Sequence, residues 1–192
     1  MPRQVDHDAR RQRIADAVCE LIAERGIEAA TLRDVADRAG VSMGAVQRSF
    51  PKDGMLRFAL EHIIARTTER ARSRIDGSDH ARDLLRITVH EMTLAESPAE
   101  ARVWLTFVAQ AGVRDEFAAV LREQHAKALE LLEWLIAYGQ HAGHIRAEID
   151  PAPEARALQA MADGLTQHVV LGHTTPAEAR ALIDRATSGF WP

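Results

Sequence analysis

Apolar residues recur along this chain every three to four positions, with charged and small residues between them. No stretch alternates with the two-residue period of a half-buried strand, so the pattern predicts an all-α protein. The first stripe, Ile14, Val18, Leu21 and Ile22, closes at Arg25-Gly26, a basic last turn followed by a helix-stopping glycine. A second, Leu32, Val35, Ala36 and Ala39, closes at Gly40. A short third segment runs from Ser42 to about Phe50, where Pro51 breaks it. A longer helix is expected from Asp53 to about Ile75, with Leu56, Leu60, Ile63 and Ile64 on one side. Beyond Asp76-Gly77-Ser78, helices are expected over about 79–95, 98–112, 114–142, 153–172 and 176–188. Ser97-Pro98-Ala99-Glu100 and Thr175-Pro176-Ala177-Glu178 both spell a capping box with proline at the first helical position. The organisation is a three-helix head, residues 1–52, followed by a larger helical body, residues 53–192.

Residues 31–50 carry the most specific signal. Thr31 is placed to cap one helix, with Asp34 at the reciprocal position of the box. Ala36 is small where a second helix must come close, and Gly40 permits a left-handed turn between the two. Val41 and Val46 are expected to point inward and set the angle between the helices. Ser42 caps the second helix, whose outward positions, Met43, Ala45, Gln47, Arg48 and Ser49, are polar or mostly small. Such a helix fits the major groove of B-DNA, and Arg48 and Gln47 are the side chains that bond bidentately to guanine and adenine edges. An ordinary helical hairpin shares the geometry. The polar outer face of the second helix favours a helix-turn-helix.

Charge changes this picture only after the chain is divided. The formal net charge is −4, yet residues 1–75 hold 14 Arg and Lys against 11 Asp and Glu, and the remainder 10 against 17. A mildly basic head on an acidic body suits local phosphate contact, although chance asymmetry would look the same. No apolar run reaches the length of a membrane span, the first residues lack the apolar core of a signal peptide, and the single Cys19 can form no internal disulfide. The expected compartment is the cytoplasm. Cys19 falls beside the buried stripe of the first helix, which makes it a core residue rather than a nucleophile.

The amphipathic first helix, then Gly26, Thr31, Val35, Ala36, Ala39-Gly40-Val41-Ser42, Gly44, Phe50, Lys52 and Met55-Leu56, resembles the TetR family of bacterial transcriptional regulators over roughly residues 10–60. Where that family usually has an aromatic residue this chain has Gln47, and its link after Phe50 is one residue shorter. Glu100-Ala101-Arg102-Val103-Trp104, Asp150-Pro151 and Asp163-Gly164-Leu165 resemble the ligand-binding half of BetI-like members. The resemblance implies a homodimeric, sequence-specific regulator, most often a repressor, released from a near-palindromic operator by a small organic ligand. It also implies a dimer interface on the last two long helices. Candidates there are Leu158, Met161, Leu165, Val169 and Leu182, with Ala157, Ala160 and Gly164 keeping other sides thin; packing within one subunit would give the same periodicity.

The candidate DNA contacts are Thr31, Arg33, Ser42, Met43, Gly44, Ala45, Gln47, Arg48, Ser49 and Lys52, with Thr31, Arg33, Ser42 and Lys52 assigned to phosphates. Candidate ligand-lining residues are Trp104, Phe107, Gln110, His125, Trp134, Met161 and His168, each of which could instead be core. Neither His141/His144 nor His168/His173 has the spacing and further ligands of a metal site, so no metal is expected. No nucleophile motif and no phosphate-cradling loop occurs, so neither catalysis nor a cofactor is expected. Two other readings stay open: a helical ligand-binding or enzymatic protein whose head has lost DNA binding, and a non-specific chromosome-binding protein. The weak positive charge of the head disfavours the second.

Overall fold

The computed structural model describes residues 2–50 and 54–192, and among those residues the regular structure is all helical, with no strand. In chain order the helices are α1 (Pro2–Arg25), α2 (Leu32–Ala39), α3 (Met43–Ser49), α4 (Gly54–Ile75), α5 (Ala81–Met92), α6 (Pro98–Ala111), α7 (Asp115–His141), α8 (Pro151–Val170) and α9 (Pro176–Ala186). Single 3-10 turns follow α1 and α9, at Ile27–Ala29 and Ser188–Phe190. No described helix is long and apolar enough to cross a membrane. Cα packing divides the chain into two compact units: Met1–Ala65 with Arg102–Val120, and Arg66–Ala101 with Leu121–Pro192. Helix α4 thus contributes its first half to one unit and its second half to the other.

The first unit is built on the stripe of α1. Ile14, Val18, Leu21 and Ile22 are buried together with Val35, Ala36, Val46, Leu60 and Ile63. Cys19 is half-buried, its thiol 3.8 Å from the carbonyl of Ala59. Leu32, expected on the buried side of α2, is 41% exposed, because at the first helical position it lies outside the arc that Val35 and Ala36 turn inward. Helix α1 begins at Pro2, three turns before its first apolar stripe residue. Proline at the first helical position is the local signal for that start, but the segment after it is polar and periodicity is silent there.

In the second unit one apolar cluster joins Leu85 and Val89 of α5, Leu132, Leu135 and Ile136 of α7, Leu158, Ala162 and Leu165 of α8, and Ile183 of α9. The same unit holds a set of ion pairs. The buried carboxylate of Glu91 accepts from Arg70 at 2.6 Å and pairs with Arg74 at 2.5 Å; Glu100 pairs with Arg66 and Arg70 at 3.2 and 3.0 Å. Glu96 pairs with Arg74 and Arg180. Arg86 holds Asp184 through two bonds of 2.7 and 2.8 Å. The capping box is complete at Thr175, where hydroxyl and Glu178 carboxylate each take the other's backbone N–H. At Ser97 the Glu100 carboxylate is turned to arginines of α4 instead.

On the surface between α7 and α8, an open groove of about 260 Å³ is lined by His125, Leu129, Arg156, Gln159, Ala160 and Asp163. The Asp163 carboxylate, 3.6 Å from the His125 ring, raises the histidine's pKa against the opposing effect of burial. A histidine whose pKa is raised by folding stabilises the native state below its unfolded value of about 6.5, and that contribution is lost as pH rises through the folded value. Asp163→Asn is therefore expected to lower the melting temperature at pH 6 and to change it little in alkaline buffer. A pH-independent loss would mean that the pair acts through packing alone.

Candidate nucleic-acid interface

Helices α1, α2 and α3 pack on one another, and local chemistry sets each junction. The Thr31 hydroxyl accepts the Asp34 N–H at 3.2 Å, opening α2, and also bonds the Asp34 carboxylate. Gly40 ends α2 with φ 66° and ψ 36°, a left-handed conformation that a side chain rarely adopts. The next N–H, of Val41, reaches back to the Ala36 carbonyl at 3.0 Å, and the chain reverses within two residues. Ser42 then caps α3, accepting from Ala45 N–H at 3.2 Å. Replacing such a cap by alanine typically costs about 1 kcal/mol.

Arg38, on the outer side of α2, donates to Glu24 through two bonds of 3.1 and 2.7 Å and to Glu20 at 3.0 Å. That bonding holds the Glu24 carboxyl below its ordinary pKa and commits the Arg38 charge to fixing α2 on α1. At the far end of α3, Phe50 meets Phe58 of α4 with ring centroids 5.1 Å apart. The Arg11 guanidinium lies 5.1 and 4.4 Å from those two rings. Cation–π contact of this kind ties the end of α3 to both neighbouring helices.

The two faces of α3 are distinct. Val46 is wholly buried, as expected, while Val41 is only half-buried. Met43 is 52% exposed, and Gln47 and Arg48 are exposed beside it. Gly44 and Ala45 are half-buried. Ser49 departs from the sequence-based expectation: it is 7% exposed and its hydroxyl donates to the Ala45 carbonyl at 2.8 Å. Three residues after Val46, it falls on the same inward arc, and its small polar side chain is satisfied by its own helix. Ser49 is thus removed from the outward set. Thr31, Arg33 and Ser42 are exposed on the same end of the unit's sequence, and Lys52 lies outside the described residues.

The other candidate sets are rearranged more. Phe107 is wholly buried and packs edge-on against Phe117 at 5.0 Å, a core position rather than an open lining. Trp104 and Gln110, half-buried, belong with it to the first unit; His125, Trp134, Met161 and His168 belong to the second. Trp134 is 58% exposed, stacked on Tyr138 on the side of α7 away from Leu132 and Ile136, and His168 is exposed beside His173. His125 borders the α7–α8 groove, and Met161 packs on the apolar cluster.

Among the dimer candidates, Leu158 and Leu165 are buried in the subunit's own cluster and Met161 and Val169 pack against it, so that stripe is internal. Leu182 is outward, 45% exposed, with Leu171, Ala157 and Ala160 also exposed. A Cβ placed on Gly164 would meet nothing within 4 Å. His144 stacks on His80 at 4.0 Å, and its Nδ1 accepts the Ala81 N–H at 3.4 Å. Among the described residues no group of three metal-ligating side chains comes together.

Comparison with known proteins agrees with this arrangement. Residues 14–57 match the family model described as bacterial regulatory proteins, tetR family, and residues 81–192 match that described as BetI-type transcriptional repressor, C-terminal. The HTH-type transcriptional regulator PksA of Bacillus subtilis (strain 168) is 33% identical over 175 residues, 89% of this chain and 83% of that protein. The HTH-type transcriptional regulator BetI of Stenotrophomonas maltophilia (strain R551-3) is 33% identical over 170 residues, covering 86% and 83%. A putative TetR-family regulator from Rhodococcus sp. superposes with a TM-score of 0.83 at 29% identity, over 95% of this chain and 98% of that one. A putative regulator from Saccharomonospora viridis, solved in complex with choline, shares the fold with a TM-score of 0.83 at 23% identity, over 93% and 95%.

Proposed function

The chain belongs to the TetR family of DNA-binding bacterial transcriptional regulators, and from that premise we propose that it is a homodimeric, cytoplasmic repressor released from a near-palindromic operator by a small organic ligand. Its relatives are regulators, and it is not an enzyme. We assign residues 1–52 to DNA binding and 53–192 to ligand binding and dimerisation. The observation that carries the reading is α3 itself: capped by Ser42, anchored by buried Val46, braced by α2, and presenting Met43, Gln47 and Arg48 to solvent. In the reading, Gln47 and Arg48 contact bases, while Thr31, Arg33, Ser42 and Lys52 contact phosphates.

Selection of bound duplexes from a randomised pool tests it directly. A recovered two-fold-symmetric consensus, with half-sites one helical turn or a multiple apart, is the expected result. Failure to enrich any sequence would remove the reading and favour a head that no longer binds DNA. Arg33→Ala is expected to weaken every duplex alike and to reduce the slope of log affinity against log salt by about one for each contact removed. Gel shifts across a salt series measure this, and a change in base preference would move Arg33 out of the phosphate set.

Support for the α8–α9 interface comes from the outward face, where Ala157, Ala160 and Gly164 keep α8 thin and Leu171 and Leu182 are exposed. Because Leu171 is already exposed in the subunit, Leu171→Glu there is expected to leave the fold intact and shift the protein from dimer to monomer in analytical ultracentrifugation, with operator affinity falling in parallel. An unchanged dimer would place the interface elsewhere. The proposed effector is an amphipathic organic molecule held by the body. Its addition is expected to raise the melting temperature and release the operator together.

A further inference from the structure

Gly44 is a glycine whose backbone does not ask for one. Among the described residues the left-handed glycines are Gly26, Gly40, Gly77, Gly143 and Gly172; Gly44 sits inside α3 with ordinary helical geometry. Glycine there weakens a helix of only seven residues, where alanine would strengthen it. Something must offset that cost. A Cβ built on Gly44 would meet one group within 4 Å: the guanidinium of Arg48, with Nη1 at 3.2 Å and Cζ at 4.0 Å. Residues four apart share a helix face, and here the longer side chain folds back along α3 and lies over the bare backbone of its neighbour.

We infer that Gly44 is a specificity-determining position that acts through Arg48, its missing side chain giving the guanidinium a bed flat against the exposed face of α3. A bidentate bond to a guanine edge needs both N–H groups of the planar fork in one orientation. A side chain held against the helix before binding loses less rotamer freedom on contact than one waving in solvent. A methyl group at position 44 would stand 3.2 Å from Nη1, tighter than most such contacts, so the fork must give by a few tenths of an ångström and no longer rests flat on the helix. Gly44 is therefore a positioning residue, and the base contact belongs to Arg48. The inference rests on the proposed reading of α3 as the DNA-contacting helix.

The test uses the full-length protein and the duplex recovered by selection with the wild type. Affinities of wild type, Gly44→Ala, Arg48→Ala and the double variant are measured on that duplex and on one altered at the base pair that Arg48→Ala relaxes. In the wild-type background Gly44→Ala is expected to reduce discrimination at that pair by about fivefold or more, within the range of one bidentate contact. In the Arg48→Ala background it is expected to change nothing beyond twofold. The melting temperature should hold or rise, which separates the effect from unfolding. Equal losses in both backgrounds would mean that Gly44 serves close approach of the DNA to the helix backbone, and undiminished discrimination would mean that it serves neither; either result overturns the inference alone. A wild-type protein that selects no sequence, or an Arg48→Ala variant that relaxes no base pair, brings down the reading of α3 and the inference with it.

Discussion

Arg48→Ala is expected to lower operator affinity by about 1–3 kcal/mol in each half-site and to relax preference at one base pair while leaving affinity for unrelated DNA nearly unchanged. The magnitude follows from the geometry of the side chain. Arg48 is exposed, on the same face as Gln47, and is among the head arginines that remain outside the structural pairs seen in the first unit. Arg38 is committed to Glu20 and Glu24, Arg57 to Glu61, and Arg11 lies over Phe50 and Phe58. A guanidinium already used to hold the fold cannot also read a base without breaking what it holds. Because Arg48 carries no packing load comparable to Val46, the variant should melt as the wild type does, and the loss should appear only in binding. Titration of the wild type and variant against the selected duplex and single-base variants of it measures the effect. Equal weakening on all sequences would reassign Arg48 to phosphate contact.

Phe107→Ala is expected to destabilise the protein by about 3–5 kcal/mol, which for a chain of this size corresponds to roughly 6–20 °C in melting temperature. The ring is fully buried and meets Phe117, itself fully buried, edge-on at 5.0 Å, so truncation removes both apolar burial and an aromatic pair and leaves a cavity. The same residue was a candidate for the effector site on the sequence alone, and the variant separates the two roles. A core residue loses stability with or without effector. A ligand-lining residue would instead keep its melting temperature and lose only the response to effector, and that outcome would return Phe107 to the pocket.

The contrast between these two residues shows where sequence reading succeeds. Arg48 was legible because a short helix between Gly40 and Pro51 has few inward positions, and a charged residue on it has nowhere to go but out. Phe107 was ambiguous because a large apolar residue on a body helix looks the same whether it faces core or cavity. Ser49 was misplaced for a related reason. Small polar residues carry little hydrophobic signal, and only the rotation of α3 about Val46 puts the Ser49 hydroxyl inward, against its own Ala45 carbonyl. On α8 the stripe Leu158, Met161, Leu165 and Val169 reads from the sequence as a dimer interface, yet it packs on the subunit's own core, because periodicity does not say whether another helix of the same chain or of a second copy covers it.

The amino-acid order by itself determined the helical class, the capped starts of α2, α3 and α9, and the turn that presents α3. These follow from local chemistry: the period of apolar residues, the hydroxyl caps at Thr31, Ser42 and Thr175, and the left-handed glycine at Gly40 act within a few residues of themselves. Tertiary structure alone decided which arginines are structural, that Trp134 faces solvent and Leu158 does not, and that the Arg48 fork rests on Gly44. Those outcomes depend on side chains that meet across helices or on rotamers chosen in three dimensions, and neither is encoded in spacing along a single segment.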